Sequence, residues 1–270
     1  MDETRWWKAQ SEDLAQAVCD AASELDDVTL GRQQTILDSY CLYGDRSAII
    51  GSGFSALQQD ASITRNVIAS AVDTVLSEVT QTRPRPMFVT IGGDYLEQER
   101  ARKLTYYCDA KFQEASARDQ GDQATRDAVV AGLGILWPYI DPLRQQVDAE
   151  LIFPAHFLVD DRNCVGVWPR SYFVRRIMDR WQLSSMYPDH ADAIESAPGP
   201  DESQWYADSY RTQDTVEVWE AIHLPSGPET GDGRHVTVVP GAVLYDEPYI
   251  YRDPPFAFVR AVKPICGFWG

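Results

Sequence analysis

Two neighbouring carboxylates, Asp160 and Asp161, are the residues of this chain most typical of an enzyme. They follow the apolar run Phe157-Leu158-Val159, and acidic side chains at the end of a strand can hold Mg²⁺ for phosphoryl transfer. Adjacent residues on a strand point to opposite faces, so the pair would need further ligands to share one ion. The sequence therefore favours a turn or a salt bridge. A Mg²⁺-dependent nuclease or phosphoryl-transfer enzyme that uses Asp160 and Asp161 is the alternative.

Other residues that could do chemistry lack the spacing that it requires. Gly51-Ser52-Gly53-Phe54-Ser55 is not the Gly-x-Ser-x-Gly of a nucleophile elbow, and the chain has no Gly-Lys-Ser/Thr phosphate loop. The histidines show no i,i+4 pair and are expected to be polar surface residues: His156, His190, His223 and His235. Of these, His223 and His235 could meet across a hairpin. The sequence predicts no catalytic residue, no metal site and no cofactor.

The composition is that of a packed, acidic protein. Hydrophobic residues make up 44% of the chain, eight residues are tryptophan, and the formal net charge is −17. Such acidity excludes a DNA-clamping surface over the whole molecule, because phosphate binding depends on Lys and Arg displacing counterions. Five widely spaced cysteines indicate reduced, mostly buried thiols of a cytosolic protein. The longest apolar-rich run, residues 128–140, contains Pro138 and is too short to span a bilayer.

Four arginines are candidates for contact with a neighbouring subunit or an acidic partner. Arg83 and Arg85 alternate with prolines that fix their backbone, so they could dock an acidic surface. Arg176 and Arg180 are four residues apart within a predicted helix and would share one face. For Arg176 and Arg180 the alternative is a solvated face, and for Arg83 and Arg85 it is a strand-entry loop.

The secondary-structure pattern around these residues predicts an α+β fold. Helices are predicted in the N-terminal segment 1–60, over about residues 1–25 and 30–42, whereas residues 47–59 are expected to be extended. A segment 61–188 begins with an amphipathic helix that ends before Arg83-Pro84-Arg85-Pro86 and a short strand. Gly92-Gly93 predicts a positive-φ turn and Asp94 an N-cap for the next helix, which includes residues 96–111.

Further along, the pattern predicts a polar break at residues 118–122 and a helix over 122–130. Strands are predicted from residue 132, over 147–154 and over 156–159, followed by a helix over most of 168–186. Residues 189–212, with Pro198-Gly199-Pro200, are a predicted linker or mobile loop. The segment 213–270 is β-rich: apolar residues alternate from 216, and strands are expected over 234–239 and 242–245.

Several of these segments together resemble the portal proteins of tailed bacteriophages. They are collinear with that family over roughly residues 62–270: Arg65-Asn66-Val67-Ile68, Arg83-Pro84-Arg85-Pro86, Gly92-Gly93-Asp94, and the stretches 127–134, 153–161, 216–225, 233–236 and 267–270. The resemblance implies a portal-like wing region of helices packed on short mixed or antiparallel sheets, with a C-terminal β-hairpin region.

The resemblance also implies a structural protein without enzymatic activity or cofactor. Twelve copies would form a ring at one capsid vertex, through which double-stranded DNA passes without sequence specificity during packaging and ejection. The implied partners are the chain itself, the major capsid protein, the terminase large subunit and the head–tail adaptor. The implied location is the virion, and the host cytoplasm during assembly, with no membrane partner.

Family members are usually longer than this chain and continue into long helices after a segment like 267–270. The aromatic, apolar residues 256–270 lead us to expect truncation before the stem helices. A truncated prophage remnant that folds but assembles nothing is therefore a further alternative.

Overall fold

The computed structural model describes residues 5–44, 66–82, 85–141, 145–161, 168–200, 214–227, 230–263 and 267–269. Within these ranges the fold is α+β, as predicted, with two antiparallel sheets. The α-helices are α1 (Leu14–Tyr43), α2 (Val67–Gln81), α3 (Tyr95–Glu114), α4 (Ala117–Ala131), α5 (Arg180–Met186) and α6 (Ala191–Ser196). The strands are β1 (Leu133–Asp141), β2 (Gln146–Ile152), β3 (Phe157–Val159), β4 (Ser171–Asp179), β5 (Thr215–His223), β6 (Arg234–Val239), β7 (Ala242–Pro248) and β8 (Ala257–Arg260).

The chain divides into two units, each assembled from stretches that are separate in sequence. Unit 1 comprises Met1–Asn66, Pro154–Pro254 and Lys263–Gly270, and unit 2 comprises Val67–Phe153 and Pro255–Val262. The predicted segments 1–60, 61–188, 189–212 and 213–270 are instead continuous stretches of chain.

Unit 1 is built on a five-stranded sheet in the order β3-β4-β5-β6-β7. The predicted strand 234–239 is confirmed as β6, and it pairs antiparallel with β5 so that Ile222 lies opposite His235. Helix α1 packs Leu14, Val18 and Ala22, which are spaced four residues apart, against one face of this sheet. The opposite face is covered by α5 and α6, so the sheet is buried on both sides.

Helix α1 is one continuous element where two were predicted. The chain between the two predicted helices, Asp26-Asp27-Val28-Thr29, consists of weak helix formers. The Thr29 hydroxyl donates to the carbonyl of Leu25 at 2.7 Å, and the Asp26 carboxylate is used in a buried contact with the sheet. Tertiary contacts therefore sustain the helix across this stretch. The predicted extended stretch 47–59 lies outside the described residues.

Unit 2 contains α2, α3 and α4 together with a three-stranded sheet in the order β2-β1-β8. The predicted turn into a strand at residue 132 is confirmed, because Gly132 has φ +89° and β1 follows it. At Gly134 a Cβ would lie 1.8 Å from the carbonyl oxygen of Ala124, so only glycine lets α4 approach β1 this closely.

Several predicted elements are wrong. The helix predicted over most of 168–186 is strand β4 followed by the short helix α5. The polar break predicted at 118–122 lies inside α4, and the real break is at Ser116, which has φ +48°. Within the predicted linker 189–212, the stretch 191–196 is helix α6, and residues 201–213 lie outside the described ranges. The short strand predicted after residues 83–86 is also wrong, since the described residues 85–90 form no strand.

Candidate assembly surface

Unit 2 leaves much of its apolar surface exposed, starting with α2. The predicted amphipathic pattern of this helix is present, but Leu76 is its only buried side chain. Four other large apolar residues of its stripe are exposed and Val72 is half-buried; the exposed ones are Val67, Ile68, Val75 and Val79. An amphipathic helix normally buries this stripe against its own core. In α2 the stripe is instead available to another molecule.

The residues that follow α2 expose further apolar side chains. Met87 and Val89 are each 75% exposed and Ile91 is fully exposed. These three side chains are therefore open to another molecule. Between them, Phe88 is tied to α3 by its backbone N–H, which donates to the Thr105 hydroxyl at 3.1 Å.

Helix α3 is exposed over nearly its whole length. It starts as predicted: Gly92 has φ +71°, and the Asp94 carboxylate accepts from the backbone N–H of Glu97 at 2.9 Å. Ala101 is its only buried residue, and Leu96 and Leu104 are exposed two turns apart. A 20-residue helix derives most of its stability from packing, so the exposed stripe indicates an external partner.

A pocket of about 490 Å³ lies within unit 2, where the end of α2, helices α3 and α4, and β8 meet. Val79 and Phe112, both members of the exposed apolar surface, line it together with Val259. Arg118 and Asp109 form an ion pair at its wall with 2.7 Å between Nη2 and Oδ1. The pocket therefore opens onto the exposed apolar surface.

The acidic charge is concentrated in unit 1. By sequence, unit 1 has 28 acidic and 14 basic residues and a net charge of −14, whereas unit 2 has 13 and 10 and a net charge of −3. Like charges oppose the approach of identical chains. A second copy would therefore meet less electrostatic repulsion at unit 2, which has the exposed apolar surface, than at unit 1.

The family of the chain follows from its sequence pattern. The family model described as Phage P22-like portal protein matches residues 55–224, which is more than half of the chain. The chain belongs to this family. No individual curated protein matches it significantly. The family is structural, so the portal chain has a structural role in a bacteriophage and a place at the capsid vertex of the virion.

The match includes the whole exposed apolar run of the portal chain from Val67 to Phe112. It also includes β1 to β5 and so extends over parts of both units. No helix in the described part of the portal chain is long and apolar enough to cross a membrane.

The predicted contact arginines of the portal chain lie in different settings. Arg83 is outside the described residues, and Arg85 is exposed in unit 2. Arg176 lies on β4 and not on a helix, with its Nε 3.2 Å from Oε2 of Glu220. Arg180 begins α5, so these two arginines do not share a helix face as predicted.

Arg180 is also engaged within its own unit. Its Nε is 2.9 Å from Oδ2 of Asp214, and its Nη1 donates to the carbonyl of Ala197 at 2.9 Å. Nη1 also donates to the carbonyls of Ile194 and Glu195, so Arg180 binds the C-terminal end of α6. A subunit contact by any of the four arginines stays a prediction.

The two carboxylates that motivated the enzyme alternative do not converge with other metal ligands in the described part of the chain. The backbone N–H of Asp160 donates to the carbonyl of Ser171 at 3.4 Å and so continues the antiparallel pairing of β3 with β4. Asp161 lies near Gly267. Among the residues that the structure describes, no group of three or more His, Cys, Asp or Glu side chains could hold a metal ion.

His223 is buried, although a surface position was predicted for it. Its ring stacks on Trp7 with 3.8 Å between the ring centroids, and Nδ1 is 2.9 Å from the Ser171 hydroxyl. Burial lowers the pKa of His223 to about 4. His235 instead contacts Glu220, with 2.8 Å between Nε2 and Oε1, so the two histidines do not pair across the hairpin.

The sequence analysis missed a buried charge cluster in unit 1. Arg175 on β4, whose side chain is 3% exposed, pairs with Asp26 of α1 and lies with Nε 2.9 Å from Oε1 of Glu217. Its guanidinium also lies 4.6 Å from the ring centroid of Trp219. Only the odd position of an arginine inside an apolar run could have signalled this cluster. It joins α1 to the sheet.

Where the structure describes them, the cysteines are reduced thiols that form no disulfide, as predicted, but they are half-buried and not buried: Cys19, Cys41 and Cys108. Burial and the nearby Glu217 raise the pKa of the Cys19 thiol to about 12. A thiol with such a pKa stays protonated and unreactive at neutral pH.

Proposed function

We propose that this chain is the subunit of a portal ring of twelve copies at one capsid vertex. Double-stranded DNA passes through the ring during packaging and ejection. The ring docks the terminase large subunit during packaging and the head–tail adaptor afterwards, and it is set in the shell of the major capsid protein. Assembly takes place in the host cytoplasm. Membership of the portal family supports this proposal, and the exposed apolar surface of unit 2 is the structural observation behind it.

The apolar surface of unit 2 is much larger than solubility would favour. Among the described residues, 18 of the 26 exposed large hydrophobic side chains belong to unit 2, although unit 2 is the smaller unit. Contiguous apolar patches on soluble proteins generally mark interaction sites. Burying a large apolar side chain contributes roughly 1.5–3 kcal/mol. Burial of several such residues at an interface would therefore offset the entropic cost of bringing two chains together.

The acidity of unit 1 fits a protein that surrounds moving DNA. An acidic surface repels the phosphate backbone and gives no counterion release that would hold the duplex in place. Screening at physiological salt limits this repulsion to about 8 Å, so it acts only where DNA passes close to the protein.

The first test is the oligomeric state of the purified 270-residue chain. Native mass spectrometry and negative-stain microscopy should show closed rings or their precursor oligomers. The oligomeric fraction should rise with the protein concentration. A chain that stays monomeric at every concentration would overturn the proposed function.

A matched pair of variants tests whether unit 2 provides the interface. Leu96 on α3 and Leu30 on α1 are both helical and are 61% and 64% exposed, but they belong to different units. Leu96→Glu should weaken association about tenfold or more, whereas Leu30→Glu should leave it unchanged. Equal effects of the two variants would contradict an interface in unit 2.

A further inference from the structure

The pocket of unit 2 is suited to apolar side chains and not to a polar ligand. Four polar residues of its wall already have partners: Arg118 pairs with Asp109, and the hydroxyls of Thr80 and Thr125 donate to the carbonyls of Leu76 and Gly121, both at 2.8 Å. A ligand with charged or hydrogen-bonding groups would therefore gain little from these walls. Apolar groups gain from Val79, Phe112 and Val259.

The same unit presents apolar side chains that do not line this pocket in their own copy. Met87, Val89 and Ile91 are exposed, and none of the three lines the pocket. They lie on the segment 87–91, which forms neither helix nor strand. A volume of about 490 Å³ is in the range of pockets that hold small organic ligands, so it has room for more than one aliphatic side chain.

We propose that the pocket of one copy receives Met87, Val89 and Ile91 of the next copy. The occupant is a second copy because the family assembles as oligomers and because the unit that bears both surfaces has a net charge of only −3. Segment and pocket are different sets of residues, so the contact is head-to-tail, and contacts of this type close into a ring when the rotation between copies permits it. This inference rests on the proposed function, since it specifies how the ring subunits join.

The segment is tested by Val89→Asp with Val28→Asp as its control. Both valines are exposed, at 75% and 65%, but Val28 lies on α1 in unit 1. Val89→Asp should raise the dissociation constant between copies about tenfold or more, because a carboxylate in the apolar pocket is desolvated without a partner. Val28→Asp should not change it. Analytical ultracentrifugation measures both.

The pocket is tested from the opposite side by Gly121→Leu. Gly121 lies within α4 and lines the pocket, and a Cβ added to it meets nothing within 4 Å. A leucine there should fill the pocket, leave the far-ultraviolet circular dichroism unchanged and weaken association about tenfold or more. The control is Gly31→Leu, on α1, where a Cβ also meets nothing within 4 Å. Thr125→Phe, one turn from Gly121, is a second pocket-filling variant in case Gly121→Leu does not fold.

Mixing the variants identifies the contact directly. Val89→Asp has an intact pocket and Gly121→Leu an intact segment, so an equimolar mixture can form one segment–pocket contact per pair. Heterodimers in the mixture, with monomers in each variant alone, are the expected result. If the wild-type chain forms oligomers and both variants do so equally well, or if the mixture stays monomeric, the segment–pocket contact is wrong while the ring proposal survives. A monomeric wild-type chain overturns both.

Discussion

Unit 1 and unit 2 differ in what they do with their apolar residues. Among the described residues, unit 1 buries 28 hydrophobic side chains and exposes eight large ones, whereas unit 2 buries ten and exposes 18. The sheet of unit 1 is covered by helices on both faces. In unit 2, α2 and α3 each bury a single residue.

The difference shows that folding stability and association can reside in different parts of one chain. Unit 1 encloses its own core and has most of the negative charge, so it gains little from a neighbour. The exposed apolar side chains of unit 2 become buried only when another molecule covers them. Substitutions in unit 1 should therefore change the free energy of unfolding, whereas substitutions on the exposed face of unit 2 should change assembly.

The largest effect is expected at the buried charge cluster of unit 1. Arg175→Met leaves the carboxylates of Asp26 and Glu217 buried without their cation, and should lower the free energy of unfolding by about 3–5 kcal/mol. Urea denaturation followed by circular dichroism measures the loss. Arg102→Met, at an exposed position on α3, should change the free energy by less than about 0.5 kcal/mol. Similar losses for the two variants would mean that the cluster does not stabilise unit 1.

A comparison of two phenylalanines tests the difference in core packing. Phe173 is 1% exposed in the core of unit 1 and Phe88 is 44% exposed in unit 2. Phe173→Ala should lower the free energy of unfolding by about 3–5 kcal/mol, and Phe88→Ala by about 1 kcal/mol or less. Both are measured by thermal and urea denaturation of monomeric protein. A large loss of unfolding free energy for Phe88→Ala would show that residues 87–91 belong to the core of unit 2.

Acidification should destabilise unit 1 through two histidines. Burial lowers the pKa of His223 to about 4, and burial together with Arg175 lowers the pKa of His156 to about 4, whereas an unfolded histidine titrates near 6.5. The unfolded chain therefore binds these protons first, so stability present above pH 6.5 is lost as pH falls toward 4. Each histidine should contribute about 1–2 kcal/mol of loss between pH 7 and pH 5.

Urea denaturation at these two pH values measures the loss of unfolding free energy, and a variant shows how much of it comes from His223. His223→Asn should reduce the difference between pH 7 and pH 5 even if it lowers stability at both. An unaltered pH dependence in His223→Asn would contradict a neutral, buried His223.

The smallest effect is expected at the start of α3. Asp94→Ala removes the side chain that caps the helix and should lower the free energy of unfolding by about 1 kcal/mol. Asp94→Asn, which can cap equally well, should be nearly neutral. Equal losses for the two substitutions would indicate that charge and not capping is the contribution of this residue.

Sequence patterns predicted the elements whose signal is local. The alternation after residue 216 predicted β5, and β6 begins and ends at the predicted residues. The cap at Asp94 and the turn at Gly92 were also predictable, because each depends on the chemistry of one residue.

Strand β4 could not be recognised because both of its faces are covered. Ser171 to Arg175 are all buried, so the sequence shows a continuous run of large residues and no period of two. Such a run is also compatible with a buried helix, which is how residues 168–186 were interpreted. The error had a consequence for the candidate site, because it placed Arg176 and Arg180 on one helix face.

The sequence predicted the apolar character of the unit 2 surface but not its exposure. The apolar stripe of α2 was evident from its three- and four-residue spacing, but periodicity alone assigns such a stripe to the interior of the molecule. Whether the stripe packs inside its own chain depends on tertiary contacts. The sequence likewise could not place Val259 next to Val79 in one pocket, because these residues are distant along the chain.

The ion pair between Asp26 and Arg175 joins residues that are 149 positions apart along the chain. Helix α1 packs on Phe173, Trp219 and Val238, which lie on β4, β5 and β6. These strands must therefore be synthesised and paired before the apolar face of α1 can be buried. Such non-local contacts form late in folding, because the chain between them must first be ordered.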